Sequence, residues 1–155
     1  MNLRKTIFIS INVSLCIIHL FTFNQSFAEE IVYSHAIVTT STGEEIPVEV
    51  ADTLKKRSLG LGKRASLKKG WGMLFVFEKR KLHRFWMKDM HFPLDIIWLD
   101  NHRIVHIINN AKPSDSMEEL EVLTSPVPVN FVLEISAGRA AKLRLKKGQH
   151  MKIKF

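Results

Sequence analysis

The sequence predicts an α+β domain, mainly β, built as a small, partly closed β-barrel of short strands with two short helices. Three observations support this class. Met73–Phe77 is apolar throughout, which is typical of a strand covered on both faces. His150–Phe155 alternates apolar side chains with lysines, the period of a strand with one face in a core. Turn signals such as Ser41-Thr42-Gly43 and Gly148 separate these short runs.

The first half of the domain is predicted to hold two strands, a helix and two more strands. Tyr33–Thr39 and Ile46–Ala51 are the first two strands. Asp52 is expected to cap a helix that ends near Leu59, with Leu54 and Leu61 facing inward. After Met73–Phe77, the chain is expected to turn at Glu78–Lys81 and to return as a strand over Leu82–Lys88.

The second half is predicted to begin with a hairpin, Leu94–Leu99 and Arg103–Ile108, around Asp100-Asn101-His102. Asn109–Asn130 contains three prolines and is predicted to be rich in loops. The remaining elements are a strand, a short helix and the last strand, predicted at Phe131–Ile135, Ser136 to about Leu145, and His150–Phe155.

The N-terminus has the layout of a secretory signal peptide. Arg4 and Lys5 precede an apolar stretch from Thr6 to Phe23, and Ser26-Phe27-Ala28 offers small residues at the cleavage positions. Residues 1–28 are therefore expected to be a cleavable signal, and 29–155 a single exported domain, periplasmic or extracellular. An uncleaved anchor is the alternative. Cleavage would remove Cys16, the single cysteine of the chain, so no disulfide or thiol chemistry is expected in the domain.

The exported domain is predicted to be basic. Loss of Arg4 and Lys5 lowers the formal net charge from +8 by two, to +6. No acid occurs between Asp52 and Glu78, or from Arg139 to the end. Such a field favours anionic partners, although solubility alone also explains it. Because an exported protein seldom meets nucleic acid, anionic lipid head groups, wall polymers or acidic glycans are expected instead. Membrane contact is expected only through the signal segment.

A candidate site lies in the middle of the chain. On a strand, Phe85 and Met87 would face the core, whereas Arg84, Trp86 and Lys88 would share the other face. Pro93 holds Phe92 extended and so fixes where Asp95 emerges. Asp95 is then expected to pair with Lys88, Arg64 or Arg57. In the functional interpretation, a cleft uses Trp86 for stacking and holds an anionic group with Arg57, Arg64 and Lys88, one of which Asp95 orients. In the structural interpretation, Asp95 and Glu134 neutralise Arg57 and Arg64, and Trp86 covers a barrel end. The candidate ligand-binding residues are Arg57, Arg64, Arg84, Trp86, Lys88, Asp95 and Glu134.

Several linked motifs then resemble a known family, the domain-of-unknown-function 192 family of mostly exported prokaryotic proteins. In order, the motifs are Arg57-Ser58-Leu59-Gly60-Leu61, Arg64, Gly72-Met73-Leu74-Phe75, Phe85-Trp86-Met87-Lys88, Pro93-Leu94-Asp95-Ile96, Leu99-Asp100, Val132-Leu133-Glu134 and Ala137-Gly138. The resemblance implies a small β-barrel-like fold and no established biochemical role. This chain departs from the family pattern at Gly62, at Asp89-Met90 and at Gln149.

Three functions remain open from the sequence. The first is a non-enzymatic envelope module that binds an anionic or glycan-like ligand, or an envelope protein. The second is a hydrolase or transferase on a cell-wall or glycan substrate, which requires an acid or lysine with a shifted pKa. The third is a copper carrier using Met87, Met90, His91 and His83 as soft ligands. No cofactor, no metal and no nucleic-acid partner are expected.

Overall fold

The computed structural model describes residues 31–114 and 121–155, which belong to one compact unit spanning residues 31–155. The predicted signal peptide at residues 1–28 lies outside these residues and stays a prediction. In chain order the described elements are β1 (Ser34–Thr39), β2 (Glu45–Ala51), α1 (Leu54–Leu59), β3 (Gly72–Lys81), β4 (Arg84–Phe85), β5 (Leu94–Asp100), β6 (Arg103–Ala111), β7 (Leu123–Thr124), β8 (Val129–Ser136), α2 (Arg139–Lys142) and β9 (Lys152–Lys154).

Seven of these strands form one sheet in the order β6-β5-β8-β3-β2-β1-β9. Neighbouring strands are antiparallel except β2 and β3, which are parallel and are connected through α1. The short strands β4 and β7 form a separate two-stranded ribbon. The strand β8, which carries Glu134, lies between β3 and β5, and its residues 132–135 are all buried.

The large sheet curls until its two edges meet. Arg103 on β6 bridges His150, just before β9, and the amide of Ile104 donates to the carbonyl of Gln149 at 2.9 Å. The amide of Gly148 donates in turn to the carbonyl of Ile104 at 2.8 Å. These bonds close only one end of the curl, so the sheet is a half-barrel. The predicted α+β, mainly β, partly closed barrel is confirmed.

Two apolar clusters cover the two faces of the sheet, because successive strand residues point to opposite sides. The interior cluster combines residues from both edges of the sheet, including Val38, Leu74, Ile97, Ile104, Leu133 and Met151. The outer cluster lies on the other face and includes Met73, Phe75, Met87, Ile96, Trp98 and Val132. The candidate site described below is built on the outer cluster.

The predicted hairpin between β5 and β6 is present. Asn101 and His102 both have positive φ, at 45° and 80°. Two consecutive residues with positive φ make the type of two-residue turn that matches the twist of a β-hairpin. Asn130 supports this turn, since its side-chain oxygen accepts from the amide of Asn101 at 2.8 Å.

Several element boundaries differ from the sequence predictions. Thr53, not Asp52, caps α1 and accepts from the amide of Lys56 at 3.2 Å. Leu54 is 75% exposed and does not face inward, whereas Leu61 is buried as predicted. The expected turn at Glu78–Lys81 is part of β3, and only two residues of the expected strand Leu82–Lys88 pair as β4. The strand errors share one cause, since local patterns do not show which backbone groups find a partner strand.

Candidate functional site

The candidate site is a cavity of about 230 Å³ on the outer cluster, between α1 with its following turn and the segment Arg84–Met90. Its lining is Leu54, Arg57, Ser58, Leu59, Gly60, Leu61, Gly62, Phe75, Phe77, His83, Arg84, Phe85, Trp86, Met87, Lys88, Met90 and Glu134. The cavity therefore brings together five of the seven predicted residues, namely Arg57, Arg84, Trp86, Lys88 and Glu134.

Arg57 fixes the α1 side of the cavity. Its Nη1 donates to the backbone carbonyl of Asp52 at 2.6 Å and to that of Val76 on β3 at 2.9 Å. The guanidinium also lies 5.1 Å from the centre of the Phe77 ring, within the range of a cation–π contact. Arg57 thus ties α1 to β3 and holds a positive charge in one place at the cavity wall.

Phe85 anchors the chain segment on the side of the cavity opposite α1. Its ring meets Phe75 at 4.9 Å and Trp98 at 5.0 Å between centroids, both edge to face. Such geometry is the favoured one for aromatic pairs. With Phe85 and Met87 turned into the outer cluster, the side chains of Arg84, Trp86 and Lys88 point outward, and Trp86 is 56% exposed. The predicted alternation is therefore found, although β4 spans only part of it.

A backbone contact joins the two sides of the cavity. The amide of Lys63 donates to the carbonyl of Asp89 at 2.7 Å. Both residues have positive φ, at 63° and 57°, a conformation that non-glycine residues seldom adopt. The hydrogen bond holds the turn after α1 against the turn at residues 88 and 89.

Glu134 lies under the cavity in an apolar setting. It stands in register with Met73 on β3 and Ile96 on β5, and it is 6% exposed. Among the described residues, none hydrogen-bonds or pairs with its carboxyl group. Burial raises the pKa of Glu134 from the ordinary 4.5 to about 8, with no charged group opposing the shift. At neutral pH the group is therefore mainly a neutral carboxylic acid, able both to donate and to accept a hydrogen bond.

Two cations, Arg84 and Lys88, lie at the cavity mouth. Within residues 31–114 and 121–155, neither Arg84 nor Lys88 forms an ion pair or a side-chain hydrogen bond, and both side chains are exposed. Glu134 is the single acid in the lining, and it is neutral at pH 7. His83, stacked on Phe77 at 3.5 Å, has its pKa lowered by burial first and by the positive charge of Arg57 among lesser causes. The mouth is consequently positive.

Two predicted site residues lie elsewhere, and the expectation that Asp95 pairs with Lys88, Arg64 or Arg57 is wrong. Asp95 is fully buried, and its carboxylate accepts from the amide of Asn110 at 2.9 Å and from that of Ala140 at 2.8 Å. It joins β5 to β6 and to α2, because a buried carboxylate needs donors and two backbone amides supply them.

Arg64 also has a different partner from those expected. It pairs with Glu49 on β2 at 2.7 Å and stacks over the ring of Tyr33 at 5.2 Å. The hydrogen bond and charge of Glu49 raise the pKa of Arg64, although burial opposes them. The structural interpretation, in which Asp95 and Glu134 neutralise Arg57 and Arg64, is therefore also wrong.

The aromatic wall of the cavity, formed by Phe75, Phe77, Phe85 and His83, is not among the predicted site residues. The sequence predicts Phe75 and Phe77 in a covered strand and Phe85 in the core, and offers His83 only as a copper ligand. Of the residues considered for copper, His83, Met87 and Met90 line the cavity, whereas His91 does not. The described residues hold no group of three or more His, Cys, Asp or Glu side chains arranged to bind a metal ion.

A larger cavity, of about 760 Å³, lies along the end of β6 and beside Glu121–Thr124. Its lining includes Ser114 and Glu121, at the two ends of the range that the structure does not describe, and contains no buried acid. The smaller cavity is the better candidate because it combines a buried, unpaired acid with fixed cations and aromatic walls. In the part of the chain that the structure describes, no helix has the length and apolarity needed to cross a membrane.

Comparison with known proteins agrees with this fold. No curated protein matches the chain. A putative transcription regulator from Sinorhizobium meliloti has a similar structure, with TM-score 0.69 and 29% identity over 79% of this chain and 96% of that one. A protein of unknown function from Novosphingobium aromaticivorans matches with TM-score 0.69 and 31% identity over 81% of this chain and 88% of that one. The family model of DUF192, described as "Uncharacterized ACR", matches residues 36–153. The chain therefore belongs to the DUF192 family.

Proposed function

We propose that this protein is a non-enzymatic binding module of the cell envelope, and that the cavity over Glu134 takes a small anionic or glycan-like ligand. The observation that carries the proposal is the buried Glu134 carboxyl group, which has no partner among the described residues and lies in the lining of a cavity. Because burial keeps this acid largely uncharged at the cavity wall, its carboxyl group can both donate a hydrogen bond to a ligand in the cavity and accept one from it.

The rest of the cavity fits the same class of ligand. Arg84 and Lys88 supply exposed positive charge at the mouth, and Arg57 supplies a fixed one at the wall. Trp86 and Phe85 offer flat apolar surfaces, on which a sugar ring or another flat group can pack. A ligand with an anionic group at one end and a hydroxyl or carbonyl at the other would meet the cations and Glu134 together.

Export is proposed on the N-terminal pattern alone. Support for export comes from Arg4 and Lys5, the apolar stretch that follows them and Ser26-Phe27-Ala28, which together have the layout of a cleavable signal. Outside the cytoplasm, glycans and anionic wall components are the abundant ligands of the chemistry described above.

The proposal is tested by calorimetry on residues 29–155 with four soluble compounds: N-acetylmuramic acid, glucuronic acid, glycerol 3-phosphate and uncharged N-acetylglucosamine. At least one anionic compound is expected to bind. Lys88→Ala and Trp86→Ala should each weaken that binding about tenfold, the order of one charge-assisted hydrogen bond or one stacking contact. The matched control is Lys152→Ala, which removes an exposed lysine on β9 and should leave binding unchanged. If all three variants bound the compound equally well, the cavity would not be the binding site.

Glu134 also favours one alternative, a hydrolase or transferase in which it acts as general acid. Its pKa of about 8 suits proton donation at neutral pH. However, glycoside hydrolysis ordinarily uses two carboxyl groups, and the cavity lining contains one. Product formation from a cell-wall glycan that Glu134→Gln abolishes would establish the alternative over the binding module.

A further inference from the structure

Three apolar side chains stand exposed around the mouth of the cavity. Leu54 is 75%, Trp86 56% and Leu59 38% exposed, and all three belong to the cavity lining. We call these three residues the apolar rim. None of them belongs to either apolar cluster, so the fold gains little from their being apolar. Apolar groups exposed together and bordered by polar ones mark interaction sites.

The charge around the apolar rim is positive. Arg84 and Lys88 flank Trp86 in the sequence, are exposed, line the same cavity and have no ion pair within the described ranges. Two exposed acids lie near: Asp52 pairs with Lys56 at 3.1 Å, and Asp89 follows Lys88. No other acid occurs from Thr53 to Phe77. The partner that complements this surface is apolar beneath and negatively charged at its boundary.

We propose that the apolar rim seats this domain on the surface of a bilayer rich in anionic lipid. Trp86 and the two leucines would enter the headgroup region, where tryptophan is favoured, and Arg84 and Lys88 would meet lipid phosphates. Peripheral binding of useful strength takes an apolar and a basic contribution together, and this surface provides both. The proposal replaces the expectation that membrane contact is confined to the signal segment. It does not require the cavity to hold a small ligand.

The test is co-sedimentation of residues 29–155 with vesicles of phosphatidylglycerol mixed with phosphatidylcholine, and with vesicles of phosphatidylcholine alone. The shorter chain is used because the apolar N-terminal stretch would bind vesicles by itself, and because both apolar clusters lie within residues 31–155. We expect binding to the anionic vesicles that weakens as salt is added, and little binding to the neutral ones. The tryptophan emission should shift to the blue, since Trp86 is exposed in the free protein, whereas Trp71 is half-buried beneath Lys68 and Trp98 is fully buried.

Variants locate the contact. Lys88→Ala and Arg84→Ala should each lower the partition coefficient about fivefold, the value of one cation near an anionic surface. Trp86→Ala should lower it about tenfold and remove the blue shift. Lys152→Ala and Phe155→Ala are the controls: they remove an exposed lysine and an exposed aromatic near the β9 edge, and should bind as wild type does.

Four results would overturn the proposal. The first is no binding to anionic vesicles at low salt. The second is binding that the controls weaken as much as the rim variants do. The third is equal binding to neutral vesicles. The fourth is equal binding, through the same residues, to soluble polyglutamate, which would assign the apolar rim to an acidic protein. Glu134→Gln should leave vesicle binding unchanged while altering binding of small ligands, so this proposal and that of the cavity can fail separately.

Discussion

Replacement of Glu134 by glutamine tests the electrostatic reasoning most quantitatively. Burial holds the pKa of Glu134 at about 8 in the folded protein, against 4.5 ordinarily, so the folded state keeps a proton that the unfolded state has lost. Between these two values the wild-type protein therefore becomes less stable as pH rises, and below about 4.5 the effect vanishes. Glutamine is neutral throughout and of the same shape. From pH 5 to pH 7 we expect the free energy of unfolding of wild type to fall by about 2.5 kcal/mol relative to that of Glu134→Gln.

The assay is urea unfolding of both proteins, as residues 29–155, at each pH unit from 5 to 10. Taking the difference between the two proteins cancels other titrating groups, including His83, whose pKa is lowered by burial and which therefore works in the opposite direction below its ordinary 6.5. The difference should grow steadily to about pH 8 and then level off. Parallel curves across this range would refute the reasoning, because they would mean that Glu134 ionises normally or has a partner in the folded protein.

Three further predictions concern stability around the site. Asp95→Ala should lower the free energy of unfolding by about 2–4 kcal/mol, because the buried amide of Ala140 and the part-buried amide of Asn110 both lose their acceptor. A loss below about 1 kcal/mol in denaturant unfolding would contradict this. Gly72→Ala should lower the free energy of unfolding by about 1–3 kcal/mol in the same assay, because the new Cβ would lie 2.8 Å from the backbone carbonyl oxygen of Glu134. An unchanged unfolding midpoint would contradict this and would show that the sheet adjusts freely. Arg64→Ala should cost about 1 kcal/mol or less and leave calorimetric ligand binding as it was, whereas a large loss of affinity would return Arg64 to the site.

Much of the fold could be predicted from the sequence because local patterns were strong. Met73–Phe77 is apolar because β3 is covered on both faces, and its residues divide between the two clusters. The β5–β6 hairpin followed from its turn residues. Local sequence patterns did not reveal which distant strands pair with each other. The parallel contact of β2 with β3, and the meeting of β6 with the residues before β9, depend on distant segments that no local pattern joins.

The candidate site was predictable to the extent that it depends on alternation along one segment. Arg84, Trp86 and Lys88 point outward because Phe85 and Met87 are apolar and pack inward. The partners of side chains from distant segments could not be predicted in this way. Any cation can attract a carboxylate such as Asp95, and only the three-dimensional structure shows that its hydrogen-bond donors are backbone amides.

The central claim is that Glu134 is a neutral, unpaired acid beneath a ligand-binding cavity. The most direct measurement is an NMR titration of the Glu134 side-chain carboxyl carbon, in free residues 29–155 and again with the tightest binder among the four soluble compounds. The account predicts a midpoint near pH 8 in the free domain, a change in that midpoint on binding, and amide shifts clustered at Arg57, Arg84 and Trp86. A midpoint near the ordinary 4.5, or a midpoint that binding leaves unchanged while amide shifts appear along the end of β6, would contradict it.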